Sequence, residues 1–212
     1  MRKNLFIALE GIDGSGKSTQ TKKLAEKLKA AGHQVYSTYE PTDSPIGSLI
    51  RNIFKGRLKV DDKSLAALFS ADRLDHLLNE VNGIVQKMKD GHTVIMDRYY
   101  FSSYAYHGTH MSMDWVIASN AMSAEILRPD LNIFIDVPPE VCIQRLQSNR
   151  QQIELYETLD NLIAVRNKYF EAFDLLADQE KIAIIDGNQP IDAITAAIWE
   201  TIQQAFPAVA SS

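Results

Sequence analysis

Residues 11 to 18 read Gly-Ile-Asp-Gly-Ser-Gly-Lys-Ser, a G-x-x-x-x-G-K-[ST] run. The run has meaning only between a strand and a helix, and its flanks provide both. Leu5 to Glu10 is an apolar stretch that predicts a buried strand. Lys17 to Ala31 has a helical pattern stopped by Gly32. Glycines allow the backbone between them to curl so that successive N–H groups converge on one point. The positive end of the following helix reinforces that point. Gly11, Ile12, Asp13, Gly14, Ser15 and Gly16 therefore form a cradle for phosphate oxygens. Lys17 supplies a point charge to the β- and γ-phosphates, and the Ser18 hydroxyl completes a Mg2+ shell.

The remainder of the chain has the alternation that such a cradle requires. Strands are predicted at 34–39, 93–97, 131–137 and 182–186. Helical patterns occupy 46–54, 62–90, 139–148, 159–178 and 191–206. Strands without a polar face, separated by helices, predict an α/β P-loop NTPase fold. It would be a five-stranded parallel sheet with helices on both faces, in a single domain over residues 1–212. Residues 148 to 157 are polar and lie between two helical patterns. They are either a short LID segment over the site or a plain solvated connection.

Composition narrows the function. The formal net charge of −5 disfavours nucleic acid as a partner. Cys142 is the only cysteine, so neither an internal disulfide nor a zinc site is available, and a reducing compartment is expected. The apolar run after Met1-Arg2-Lys3-Asn4 is too short for a signal peptide or a membrane span, and no later run is long enough to span. These readings predict a cytoplasmic protein.

A phosphate cradle alone does not separate kinases from switches and motors. Asn167-Lys168 lies inside a helical pattern rather than after a strand, and no Asp-x-x-Gly follows a strand, which argues against a GTPase switch. The third strand ends Asp97-Arg98 rather than in the Asp-Glu of a motor. A small-molecule kinase remains. Its acceptor would lie where ligands of open α/β sheets lie, outside the carboxyl ends of the strands. Arg98 is placed there, and a guanidinium pairs bidentately with phosphate. Arg51 follows the second strand. Phe69, Arg73 and His76 share one face of the long helical pattern. They are either a base-stacking ring with a guanidinium one turn on, or a core ring beside a surface arginine.

Taken together the residues resemble the thymidylate kinase family. The matching pieces are the cradle through Thr19, Glu40-Pro41-Thr42, the Leu-Ile-Arg ending at Arg51, and Leu68-Phe69-Ser70-Ala71-Asp72-Arg73. Asp97-Arg98-Tyr99, Ser102-Ser103 and Ala105-Tyr106 follow in order. Glu-Pro-Thr-Asp-Ser-Pro-Ile-Gly from residue 40 and the short flap are similar to archaeal-type members. The resemblance implies ATP and Mg2+ as cofactors, thymidine 5′-monophosphate (dTMP) as acceptor, and a homodimer. It also implies a role for each matching position. Gly11 to Thr19 would bind ATP. Asp13 would accept the deoxyribose 3′-hydroxyl, Phe69 would stack the thymine, and Arg73 would reach its O4. Arg51 and Arg98 would hold the acceptor phosphate. Asp97 and Ser18 would organise the metal, Ser103 would line the base edge, and Tyr106 would crowd the 2′ position. Lys17, Asp97, Arg98 and a flap arginine would carry catalysis.

Two positions depart from the familiar bacterial pattern. His107 stands where a glutamine follows Ala-Tyr, and the cradle carries no arginine at its variable positions. Relatives of the second kind place the catalytic arginine in the flap. Arg145 and Arg150 are the candidates, and Arg150, within the polar stretch, is the expected one. Other readings stay open: a different nucleotide or deoxynucleoside kinase, or a non-catalytic ATP-binding module.

Overall fold

The computed structural model describes residues 4–149 and 158–207. Five strands form one parallel sheet: β1 (Phe6–Glu10), β2 (Val35–Tyr39), β3 (Thr93–Asp97), β4 (Leu131–Asp136) and β5 (Ile182–Asp186). Their order is β2-β3-β1-β4-β5, which puts β1 and the cradle it feeds at the centre. Successive strand side chains face opposite sides, so a strand buried at every position must be covered on both. Phe6, Ile7, Ala8 and Leu9 of β1 and Ile133, Phe134 and Ile135 of β4 meet that condition. The edge strands β2 and β5 do not, being half-exposed along most of their length.

The helices are α1 (Lys17–Ala30), α2 (Pro45–Phe54), α3 (Asp62–Leu78), α4 (Ile84–Lys89), α5 (Tyr100–His107), α6 (Met113–Ile126), α7 (Pro139–Asn149), α8 (Leu159–Leu176) and α9 (Ile191–Ala205). They fall into two groups: α1 packs on α9, while α5 packs on α6 and α8 and α3 packs on both α5 and α6. Under α5, the rings of Phe101, Phe134, Tyr169 and Phe173 meet at centroid distances of 4.8 to 5.9 Å. Such pairs gain on the order of 0.5–1.5 kcal/mol each beyond their buried area.

Three elements differ from the sequence reading, the first being α5, which was not assigned. The helical pattern 62–90 is broken. Asn79 leaves helical geometry, and a Cβ at Gly83 would lie 2.3 Å from the Asn79 carbonyl oxygen, so the chain reverses there only with glycine. Asn82-Gly83 was the signal for that turn. The third difference is α6, which the sequence reading also did not assign. Its exposed side carries Trp115 and Met122, so it lacks the apolar/polar contrast by which amphipathic helices are recognised. The segment expected to be a LID, 148–157, lies outside the described residues except for Ser148 and Asn149, the end of α7. Among the described residues no helix is long and apolar enough to cross a membrane.

Candidate active site

The cradle is formed as its glycines require. Gly14 and Gly16 have φ of 82° and 95°, a region that only glycine enters at little cost. A Cβ on Gly16 would meet nothing within 4 Å, so the loop turns an open face to its cavity. Three observations fit a triphosphate there. The loop leads into the N-terminus of α1. The Ser15 hydroxyl is buried without a partner. Lys17 is buried, and among the described residues its ammonium donates only to neutral acceptors, the carbonyls of Gly11 and Ile12, at 2.9 Å each. Burial, with Arg98 nearby, lowers the Lys17 pKa to about 8, while Asp13, Asp97 and Glu10 oppose that fall. A bound polyanion would restore the charge.

The residues also suit Mg2+. The Ser18 hydroxyl and the Asp97 carboxylate lie 2.5 Å apart, two hard oxygen ligands on adjacent elements. No group of three or more acidic, histidine or cysteine side chains that could hold a metal occurs among the described residues. The ion would therefore need phosphate oxygens and water to complete its shell, as Mg2+ commonly does.

A second cavity opens beside the first. Asp13, Arg51, Phe69, Arg73, Arg98, Ser103, Tyr106 and His107 all line it, so every residue expected to bind the acceptor comes to one place. Asp13, Tyr39, Glu40 and Arg98 line both cavities and form the boundary between them. Arg98 follows β3 with φ of 72°, an uncommon conformation for a residue with a Cβ. It donates to Asp13 at 2.5 Å, to the Ser102 hydroxyl at 3.1 Å and to the Gly11 carbonyl at 3.3 Å. The Tyr106 hydroxyl donates to Asp13 at 2.8 Å, and the Tyr106 ring lies 5.0 Å from the Arg98 guanidinium.

Arg73 is placed more deeply than an exposed base reader would be. It is among the largest fully buried side chains, and four of its five N–H groups donate to protein acceptors. Glu40 accepts from Nε at 2.9 Å and its carboxylate pairs with Nη2 at 2.7 Å, and the Tyr99 carbonyl accepts from Nη2 at 3.3 Å. Nη1 donates to Ser103 at 3.0 Å and to Asn120. Of these partners Glu40 and Ser103 line the cavity, and Ser103, the neutral one, is the partner a base oxygen would replace. His76, which sequence left open, is buried behind Glu40, 3.3 Å from its carboxylate and 2.7 Å from the Thr38 hydroxyl. Arg51 lies at the cavity edge and donates to the carbonyls of Pro41 and Thr42 and to the Ser48 hydroxyl.

Phe69 on α3 faces His107 on α5 with ring centroids 5.2 Å apart, and Phe54 on α2 lies 5.9 Å from Phe69. Burial, followed by Arg73 and His110, depresses the His107 pKa to about 3. The imidazole is thus neutral through the physiological range, and the pH sensitivity that a histidine at this position would ordinarily bring is absent. Arg150 lies outside the described residues. Arg145 on α7 donates to the Gly187 carbonyl at 3.3 Å and lines the cradle's cavity together with Gln189 and Ile191.

Sequence reasoning missed several supports. Asp72 accepts from the Thr42 backbone N–H at 2.8 Å, the Thr42 hydroxyl at 2.6 Å and the Ser44 hydroxyl at 2.9 Å, tying the loop after β2 to α3. Phe54 and Leu65 add apolar wall to the acceptor cavity. Both lie within helical patterns, and nothing local marked them as cavity lining.

A family model described as "Thymidylate kinase" matches residues 9–198. A protein of Caldivirga maquilingensis named "Probable thymidylate kinase" is 40% identical over 193 residues, covering 90% of this chain and 89% of that one. One of the same name from Methanocaldococcus jannaschii is 36% identical over 183 residues, 86% and 87% of the two chains. Another from Thermococcus kodakarensis is 32% identical over 208 residues, 93% and 98% of the two.

Proposed function

This chain belongs to the thymidylate kinase family, and we propose that its two cavities bring Mg2+-ATP and dTMP together for direct phosphoryl transfer. The reaction is the phosphorylation of thymidine 5′-monophosphate to the diphosphate. The observation that carries the two-site reading is the meeting of both cavities at Asp13 and Arg98. A phosphate bound there from the acceptor side lies next to one cradled by the loop.

The acceptor is already an anionic nucleophile, so the difficulty is to bring two polyanions into line and to offset the charge of the group in flight. Mg2+, when bound, supplies Lewis-acid neutralisation of the phosphate oxygens. The chain's residues do the rest. Gly11 to Thr19 bind the triphosphate, and Lys17 presents its ammonium to the β- and γ-phosphates. Ser18 and Asp97 present their oxygens to the ion. Arg98 and Arg51 hold the acceptor phosphate. Phe69 stacks the base, Arg73, Ser103 and His107 read its edge, and Asp13 and Tyr106 read the sugar. Arg150 supplies the flap charge.

Charge pairing favours a monophosphate over a free nucleoside as acceptor. A nucleoside needs a carboxylate free to take its 5′-hydroxyl proton. Asp13 is paired to Arg98 at 2.5 Å and Glu40 to Arg73 at 2.7 Å, so both of these cavity carboxylates already serve an arginine. Residues 1–212 act as one nucleotide-monophosphate-kinase-like unit in this reading, and its place is the cytoplasm. A homodimer is part of it too. Trp115 and Met122, two turns apart on α6, are 44% and 60% exposed and offer an apolar contact for a second copy.

The test is ADP formation from Mg2+-ATP against dTMP, dUMP, UMP, CMP, AMP, GMP and thymidine. dTMP leading by orders of magnitude supports the pocket reading. A different leading acceptor redraws the base pocket, and ATP binding without transfer leaves a binding module. A pH profile provides a second check. In the free enzyme Lys17 loses its charge as pH rises through about 8. We expect kcat/KM for ATP to fall above that pH, approaching tenfold per unit. A flat profile to pH 9.5 would show that Lys17 remains protonated.

A further inference from the structure

We propose that Glu10 is a positioning residue for the acceptor phosphate: it holds Arg98 through the Ser102 hydroxyl. The inference rests on the reading of Arg98 as a phosphate ligand. Glu10 ends β1, immediately before the cradle, and is completely buried. A buried carboxylate without direct cation contact is expensive, so its partners indicate what it does. Three donors converge on it. The Tyr99 backbone N–H reaches Oε1 at 2.7 Å, and the hydroxyls of Ser102 and Tyr169 reach Oε2 at 2.6 and 2.9 Å. Burial pushes the Glu10 pKa up, while these donors and the Arg98 charge oppose the rise.

The Tyr99 contact caps the first turn of α5, where the Tyr99 side chain makes no capping bond of its own. Glu10 therefore fixes the segment that carries Arg98 at φ 72°. The Ser102 contact extends further. Arg98 Nη1 donates to Ser102 Oγ at 3.1 Å, and Ser102 Oγ donates to Glu10. Guanidinium, hydroxyl and carboxylate thus form an ion pair bridged by one hydroxyl. The other terminal nitrogen, Nη2, is held by Asp13. An incoming phosphate competes with Asp13 for Nη2. The Ser102–Glu10 arm keeps Nη1 in place during that exchange, so the guanidinium turns one edge to the phosphate without losing its anchor.

Glu10→Gln is the variant to make, because both ends of a glutamine amide find partners here. Its oxygen can accept from Tyr99 N–H, and its NH2 can donate to Ser102 or Tyr169. What disappears is the charge at the end of the relay. Binding of dTMP and of thymidine is measured by calorimetry on the wild type, Glu10→Gln, Ser102→Ala and the double variant. The expected result is a roughly tenfold loss in the preference for dTMP over thymidine in each single variant, with thymidine binding unchanged. The double variant should lose no more than either single one, since the two residues act in series. An unchanged preference in Glu10→Gln, or losses that multiply in the double variant, overturns the relay. Should Glu10→Gln not fold, an unchanged preference in Ser102→Ala overturns it alone. If the wild type itself binds thymidine and dTMP equally, Arg98 is not the phosphate ligand and the inference falls with that reading.

Discussion

Arg98→Ala is expected to lower kcat/KM for dTMP by roughly 10²–10³, since it removes the charge proposed to receive the acceptor and flank the transferring group. Arg98→Gly should lose as much activity, yet the two variants should differ in stability. Arg98 holds φ at 72°. A side chain in the left-handed region costs roughly 1–2 kcal/mol, and glycine avoids that cost. The glycine variant should therefore melt a few degrees above the alanine variant while both are equally inactive. The strain persists because Arg98 N donates to the Leu9 carbonyl at 3.0 Å and Tyr99 N to Glu10 at 2.7 Å, fixing the turn from the central strand. Backbone strain maintained at a functional position is a common arrangement. Retention of the acceptor KM in Arg98→Ala would remove Arg98 from the phosphate site. Equal melting of the two variants would show that φ relaxes once the guanidinium is gone.

Local chemistry was legible in the sequence, and long-range polar support was not. The cradle announced itself because its function constrains eight consecutive residues. Arg98 was legible because a guanidinium directly after a buried strand has no packing explanation. The five strands were visible as short β-rich runs, with ends within about a residue or two of those found. Glu10 was hidden for the opposite reason. It closes an apolar run, and its partners Tyr99, Ser102 and Tyr169 are 89, 92 and 159 residues away. Asn120 was hidden twice over. It lies on α6, the helix without a clear apolar stripe, and its Oδ1 accepts from Arg73 across 47 residues. Arg73 itself was read from its neighbours as either a base reader or a surface residue. It is completely buried, which neither reading anticipated. A buried guanidinium requires acceptors on all sides. Glu40, Tyr99 and Ser103, and Asn120, from three separate segments, supply them.

The largest single effect is expected from the flap. Arg150→Ala should lower kcat by ~10³–10⁵ while dTMP binding stays within about threefold. In the proposed mechanism Lys17 and Arg98 offset charge from inside the site, one from the cradle and one from the acceptor cavity. In-line transfer leaves the outer oxygens of the moving group facing the rim. A cation there gains most when the charge spreads over those oxygens, so its removal should affect turnover more than ground-state binding. Arg150 follows directly on Asn149, the last residue of α7, and Arg145 and Leu146 of that helix line the cradle's cavity. Arg145 is the natural control. It is tied to the Gly187 carbonyl at 3.3 Å and lines the cradle's cavity but not the acceptor cavity. Arg145→Ala should therefore raise the KM for ATP and spare the single-turnover rate at saturating nucleotide. Rapid-quench measurement of that rate in both variants decides between the two arginines. A full rate in Arg150→Ala with a collapsed rate in Arg145→Ala would transfer the catalytic role to α7. Collapse in neither would mean that Lys17, Arg98 and the metal offset the charge of the moving group without help from the flap.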